Sequence, residues 1–181
     1  MIARAGFRAK MRVRREIEMT DISERLVVHC PDREASRHLS SFIADHQVGD
    51  GTVSVSLRLP LNLFAERRSI IERRIVATLY PLRSVSDPHP TYSVTWSPRA
   101  GAPFPEFAGA LAVEKSPFDD CFGLLVSGHY ELRFGAVSEW IDAALGRRIA
   151  RASARDLLRS IADYVENACA HSAAARAGHM R

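Results

Sequence analysis

The feature that most constrains the fold is a regular alternation of apolar and polar residues between positions 122 and 134. A period of two residues is that of a β-strand, and a single apolar face is typical of an antiparallel sheet with one side in water. Gly128, midway along the segment, leaves room for a bulge or a bend. The apolar face consists of Phe122, Leu124, Val126, Gly128, Tyr130, Leu132 and Phe134. The opposite face consists of Ser127, His129, Glu131 and Arg133.

Shorter segments earlier in the chain also show the patterns of strands and of a helix. Apolar or alternating runs bounded by Pro, Gly or Asp predict strands at residues 26–30, 53–61, 70–80, 92–97 and 107–113. The last of these has alanine on its second face, so we expect it to be covered on both sides. The apolar spacing after Asp32, the expected N-cap, predicts a helix at 33–47. Its expected buried face consists of Ala35, Leu39, Phe42, Ile43 and His46.

After residue 136 the period changes to that of an amphipathic helix. Apolar residues recur at intervals of three and four up to Ala168, which predicts a helix over 136–170 that Gly146 can kink or divide. The chain is long enough for one domain with a substantial core. We therefore expect an α+β domain at 21–171, in which a curved antiparallel sheet of six or seven strands wraps around a long C-terminal helix. We expect the basic arm at 1–20 and the tail at 172–181 to be disordered.

The net charge of +4 belongs to the ends of the chain. Residues 1–18 carry +4 and residues 172–181 carry +2, while the remaining 153 residues hold 17 basic and 19 acidic side chains. A nearly neutral domain predicts no specific nucleic-acid partner, although the arm could touch RNA, a membrane or a partner protein through its charge. The sequence has no apolar run near the roughly 20 residues of a membrane helix, and no signal-peptide pattern. We expect a soluble cytoplasmic protein.

The usual signatures of catalysis and metal binding do not occur in the sequence. It has no GxxxxGK[ST], GxGxxG, HExxH or GxSxG motif. Cys30, Cys121 and Cys169 lie far apart with no ligand spacing, which predicts reduced, partly buried thiols and neither a disulfide framework nor a zinc site. His38 and His46, eight residues apart, are interpreted as surface or helix-end residues. We predict no cofactor, no metal and no catalytic residue.

The order of elements resembles the helix-grip superfamily of START-related proteins, pollen allergens and polyketide cyclases (SRPBCC), in an uncharacterised bacterial branch. The resemblance covers about residues 24–170. It is carried most closely by FPEFAG at 104–109 and LLVSGHY at 124–130, followed by Gly135, Asp142 and Gly146 before Ala150. The usual pattern has two short helices after the first strand and then six strands. Here the sequence predicts one helix and five strands.

The resemblance implies a cavity between the sheet and the C-terminal helix that holds an apolar small molecule such as a lipid, sterol or polyketide. The leading hypothesis is binding or carriage without catalysis. A cyclase or dehydratase acting on a similar ligand is the enzymatic alternative, with Arg73, His129 or Tyr130 as its polar groups. The sequence places His129 and Tyr130 on opposite faces of their strand. A third alternative is an interaction module that uses the basic arm.

Candidate cavity residues follow from the predicted faces of the strands. Arg73 lies among apolar positions, so it either binds a ligand carboxylate or reaches water at the rim of the sheet. Tyr and Trp on the concave face would bring hydrogen-bonding groups that can orient a ligand, although an ordinary core uses the same residues. The cavity candidates are Arg73, Tyr92, Trp96, Tyr130 and Phe134. The adjacent carboxylates Asp119 and Asp120 are interpreted as solvated turn residues.

Overall fold

The computed structural model describes residues 20–49, 52–60, 70–82, 90–97, 106–131 and 143–178, and the side chains within 21–49, 52–55, 76–82, 90–97, 106–131 and 147–175. Alternating and β-branched segments form strands, and segments with a 3.6-residue apolar period form helices. The strands are β1 (Thr20–Val28), β2 (Gln47–Gly49), β3 (Thr52–Pro60), β4 (Ile70–Leu82), β5 (Thr91–Trp96), β6 (Glu106–Lys115) and β7 (Phe122–Glu131). The helices are α1 (Asp32–His46) and α2 (Ala143–Gly178).

The seven strands form one antiparallel sheet in the order β1-β7-β6-β5-β4-β3-β2. Strands β2 to β7 follow one another as a meander, and β1 pairs with β7 as the edge strand on that side of the sheet. Because β1 and β2 lie at opposite edges, α1 connects the two edges of the sheet. Helix α2 packs against β1, β3, β7 and α1. The expected architecture, a curved sheet of six or seven strands around a long C-terminal helix, is confirmed.

The core lies between the inner face of the sheet and the apolar side of α2. Alternation along each strand sends every second side chain into this layer, where burial of apolar surface stabilises the fold. The inward-facing residues of α2 recur at intervals of three and four, as expected for one face of a helix. The helix contributes Ile149, Leu157, Leu158, Ile161 and Val165, each 1% exposed or less. The strands contribute Val28, Val53, Val94, Leu111, Phe122, Leu124 and Val126, each fully buried.

Several boundaries differ from the sequence prediction. Strand β1 begins at Thr20, before the apolar run, because its polar residues alternate with inward-facing Ile22 and Glu24. The three-residue strand β2 was not predicted, since it is too short to show a period. Helix α1 begins at Asp32, with Pro31 at the cap position and no side-chain cap bond. Helix α2 continues unbroken past Gly146 and runs to Gly178, beyond the predicted end near residue 170.

Two predicted environments were also wrong. The outer face of β6 is not covered, because Ala108 is exposed and Ala110 and Ala112 are partly exposed. His38 is not at the surface: it is 4% exposed, on the side of α1 that faces the core. Alanine is small enough to suit either environment, and histidine is buried when its polar atoms find partners.

Gly128 does not form a bulge. Its pairing with β6 and with β1 keeps a continuous register, and Gly109 lies directly opposite it on β6. A Cβ atom on Gly128 would come within 2.5 Å of the Gly109 Cα and 2.9 Å of the Phe107 ring. The two glycines therefore permit a close approach of backbone and ring rather than an unusual turn.

Candidate functional site

An aromatic row crosses three strands near one end of the sheet. Trp96 on β5 is the register partner of Phe107 on β6, and Phe107 is the partner of Tyr130 on β7. The Trp96 and Phe107 rings stack with centroids 4.2 Å apart and planes 17° apart. All three side chains face inward and are 3% exposed or less. The row thus forms part of the inner face of the sheet at this end of β5, β6 and β7.

A pocket of about 280 Å³ opens at this end of the sheet. Its surface is mostly apolar, with two carboxylates that are register partners, Glu106 and Glu131, among its polar residues. The inward aromatic residues present only a thin edge to it because they are almost fully buried. Most of the described lining comes from outward-facing positions at the strand ends. The lining residues are Thr95, Trp96, Ser97, Glu106, Phe107, Ala108, His129, Tyr130 and Glu131.

The predicted cavity residues fall into three groups. Trp96 and Tyr130 come together in the aromatic row and touch the pocket. Tyr92 is 5% exposed on the same face of β5. It lies four residues from Trp96, or about 13 Å at the usual rise of a strand. Arg73 is opposite Leu57 in the register of β4 with β3, but its side chain lies outside the described residues, as does Phe134.

His129 and Tyr130 do not form an acid–base pair. His129 points outward from β7, with a side chain that is 56% exposed, and its Nδ1 atom contacts the Asp21 carboxylate on β1. Tyr130 points inward and is 3% exposed. Opposite faces follow from the two-residue period of the strand. The arrangement expected from the sequence is therefore confirmed.

A buried carboxylate joins β1 to α2. Glu24 is 8% exposed, and it accepts a hydrogen bond of 2.6 Å from Nε of Arg155. Nε of Arg151 lies 3.4 Å from its other oxygen. Two cations offset the cost of removing a carboxylate from water. This interaction fixes β1 against the helix and was not predicted from the sequence.

Helices α1 and α2 are joined by an aromatic cluster. The Phe42 ring lies 4.3 Å from the His46 ring and 5.4 Å from the Tyr164 ring, measured between centroids. The Tyr164 hydroxyl donates a hydrogen bond to the Asp45 carboxylate. This bond is the main cause of a raised pKa for Tyr164, with smaller contributions from burial and the carboxylate charge. The phenol is thereby held in its protonated form.

Next to this interface, the fold brings together residues that the sequence analysis treated separately. The metal-binding atoms of Cys30, His38 and Cys169 lie within 4.8 Å of one another. Burial, followed by a hydrogen bond with Cys169, raises the pKa of the Cys30 thiol to about 12. The three residues are 8 and 131 positions apart along the chain, so no local spacing could have revealed the cluster.

Within the part of the chain that the structure describes, no helix is both long and apolar enough to cross a membrane.

Comparison with known proteins supports the fold and goes no further. No family model matches the sequence, and no curated protein matches it. A conserved protein from Geobacillus kaustophilus matches with a TM-score of 0.51 and 12% identity, covering 82% of this chain and 96% of that one.

Two further structures match with lower TM-scores. A START superfamily protein from Mycobacterium smegmatis gives 0.45 at 12% identity, covering 83% of this chain and 97% of that one. The Zhui aromatase/cyclase from Streptomyces sp. R1128 gives 0.42 at 15% identity, covering 88% and 96%. Both scores are below 0.5, so the assignment rests on the first match and on the architecture itself. The seven-stranded antiparallel sheet closed by a long C-terminal helix has the helix-grip fold.

Proposed function

We propose that this protein binds a hydrophobic small molecule without transforming it, in the space between the sheet and α2. The observation that carries the proposal is the mostly apolar pocket at the ends of β5, β6 and β7, with the aromatic row directly behind it. Its volume of about 280 Å³ is near the lower limit of roughly 300–1,000 Å³ for small-molecule sites. We propose this pocket as the entrance.

The chemistry of the pocket supports an apolar ligand with one polar end. Trp96 and Phe107 present an apolar edge to the pocket, while Tyr130 has a hydroxyl that could orient a ligand. Because these side chains are 3% exposed or less, a ligand that enters beyond the pocket must displace them. Binding should therefore change the environment of Trp96.

The absence of catalysis is proposed because His129 and Tyr130, the two polar groups of the enzymatic alternative whose side chains the structure describes, do not converge. His129 is engaged with Asp21 on the outer face, whereas Tyr130 lies on the inner face. General acid–base catalysis requires both groups within hydrogen-bond reach of the same substrate. We therefore expect a bound molecule to be recovered unchanged.

A pair of alanine substitutions on β6 tests the proposed entrance. Ala108 is exposed and lines the pocket, while Ala112 lies on the same face of the same strand, outside the described lining. The probe is 8-anilinonaphthalene-1-sulfonate, whose fluorescence rises in apolar sites. We expect Ala108→Trp to weaken saturable binding at least about tenfold, or ~1.4 kcal/mol. Ala112→Trp should leave it unchanged, and equal binding by both variants would refute the assigned entrance.

A second experiment tests the interior. The chain has two tryptophans, so Trp140→Phe leaves Trp96 as the only indole. Its emission should shift as the probe saturates the pocket. Native mass spectrometry of gently purified protein should show a retained small-molecule adduct whose mass is unchanged after incubation. If no adduct is retained and no probe binds saturably, the function is wrong; if a modified product is released, the protein is an enzyme.

A further inference from the structure

Three elements meet at a compact group of soft metal-binding atoms. Cys30 follows β1 and is 1% exposed, His38 lies on the inner side of α1 and is 4% exposed, and Cys169 lies on α2 and is partly buried. One ligand atom from each residue lies within 4.8 Å of the other two. All three cysteines of the chain are free thiols, so two thiols and one imidazole are available at this position.

We propose that Cys30, His38 and Cys169 form a zinc site. Tetrahedral zinc takes sulfur at about 2.3 Å and nitrogen at about 2.0–2.1 Å, which places neighbouring ligand atoms roughly 3.5–3.8 Å apart. Ligand atoms within 4.8 Å of one another need only small side-chain rotations to reach that geometry. Thiolate and imidazole ligands favour zinc and related soft metals over magnesium or calcium, which prefer oxygen.

The backbone around the site is already held in place. The amide of His29, adjacent to Cys30, donates a 2.8 Å hydrogen bond to the Glu166 carboxylate on α2. Cys169 lies three residues beyond Glu166, on the same side of the helix. The end of β1 and the helix that carries the second thiol are therefore fixed relative to each other before a metal arrives. Such support reduces the ordering cost of assembling a metal site.

Glu34 is the positioning residue of the site. Its Oε2 atom lies 3.3 Å from Nε2 of His38, and Arg37 lies 3.2 Å from the same nitrogen and 2.8 Å from the Glu34 carboxylate. Zinc on Nδ1 would leave the ring proton on Nε2, which would donate it to Glu34; Arg37, itself only a donor, would then turn away from this nitrogen and keep its bond to the Glu34 carboxylate. A carboxylate behind a histidine ligand is the usual second interaction of zinc sites, and its removal typically weakens metal binding about 10–100-fold.

The site differs in position and chemistry from the pocket at the strand ends. The pocket lies at the ends of β5, β6 and β7, whereas the thiols lie where β1, α1 and α2 meet. Two thiolates balance the charge of the zinc ion, which offsets the free-energy cost of removing the ion from water. Three protein ligands leave a fourth coordination position for water or an exogenous ligand.

Cobalt(II) is the probe for the test, because thiolate–cobalt bonds give a charge-transfer absorption that free cobalt lacks. Full-length reduced protein is freed of metal and titrated with cobalt, and zinc is then added. We expect one equivalent to produce the band and zinc to abolish it. Cys30→Ser, Cys169→Ser and His38→Gln should each weaken binding at least about tenfold. Cys121→Ser removes a buried thiol outside the cluster, so it should bind cobalt as the unmodified protein does.

A second measurement avoids variants that fail to fold. At the same zinc concentration, zinc should raise the thermal midpoint of the unmodified protein clearly more than that of the Cys169→Ser variant, because tighter binding to the native state stabilises it more. Glu34→Gln should keep the cobalt band with an affinity about tenfold lower. A protein that shows neither the band nor the zinc-dependent shift refutes the site. Recovery of a Cys30–Cys169 disulfide as the stable form under reducing conditions also refutes it.

Discussion

The contact between Gly109 and Gly128 gives a sharp test of how the sheet is packed. Gly109→Ala adds one methyl group where two strands and the Phe107 ring meet. The new Cβ would overlap the Ser127 carbonyl oxygen and would come within 2.7 Å of both the Gly128 Cα and the Phe107 ring. Two of these three neighbours are backbone atoms of the adjacent strand. They cannot rotate away, so the strands must separate or tilt.

The expected cost follows from two opposing effects. Inserting a methyl group into a packed region costs about 1–3 kcal/mol. The loss of glycine flexibility in the unfolded chain returns about 0.4–1 kcal/mol. The net destabilisation should therefore be about 1–2 kcal/mol. For a chain of this length, each kcal/mol lowers the melting temperature by about 2–4 °C, so a decrease of roughly 2–8 °C is expected.

Urea denaturation followed by circular dichroism measures this difference directly. Gly49→Ala is the matched control, because the nearest atom to a Cβ at that position is 3.8 Å away, an ordinary contact. Gly49→Ala should be neutral or slightly stabilising. Gly109→Ala should also reduce binding of the fluorescent probe, because it pushes Phe107 out of the aromatic row. A Gly109→Ala protein as stable as the unmodified one, with an unchanged denaturant slope, would contradict the close packing of Gly109 against β7 and the Phe107 ring.

Three further predictions test other parts of the fold. Glu24→Ala should destabilise the protein by about 1–3 kcal/mol in urea denaturation, because it removes a buried carboxylate, while its half-exposed partner Arg155 can return to water. Phe42→Ala should cost about 3–5 kcal/mol by the same assay, since the ring is 1% exposed in the interface of α1 with α2. Tyr164 should ionise above the usual pH of a tyrosine because it donates to Asp45, so its contribution to stability is present below the unfolded pKa and lost as pH rises through the folded pKa.

Each of these predictions has its own control. Arg151→Ala, which removes the longer contact to Glu24, should cost less than Glu24→Ala, and the reverse order would contradict the assigned pairing. Phe118 is 66% exposed, so Phe118→Ala should be nearly neutral. Phenolate absorbance follows the tyrosines through an alkaline titration. Tyr164→Phe should remove a late-ionising group, and an unchanged late phase would show that Tyr164 titrates normally.

The strands were predictable wherever alternation extended over several residues. Tyr92, Val94 and Trp96 all face inward, as their spacing indicated, because a half-buried strand repeats every two residues. The three-residue strand β2 was not predictable, since it is exposed and has no periodic pattern. The end of α2 was also missed. Its last two turns are rich in alanine, a strong helix former, but lack the apolar spacing on which the prediction relied.

The candidate site was predictable only in part. The alternation of the strands placed Trp96 and Tyr130 on the same inner face, but it could not show that they form one row, that they are almost fully buried or that the pocket opens at the strand ends. Burial depends on what packs over a face, which a strand pattern does not contain. For the same reason Glu24 was overlooked: its two cationic partners come from a helix more than 120 residues further along the chain.

The sequence by itself determined the fold class, the faces of the strands and the placement of the excess charge at the ends of the chain, because these properties depend on local periodicity and composition. Tertiary structure alone decided which distant side chains meet. It placed Gly109 against Gly128 and brought Cys30, His38 and Cys169 to one point. Such meetings depend on register and helix packing, which are set by the whole core. The sequence therefore indicated a helix-grip domain, and the structure revealed where its pocket opens and where a metal could bind.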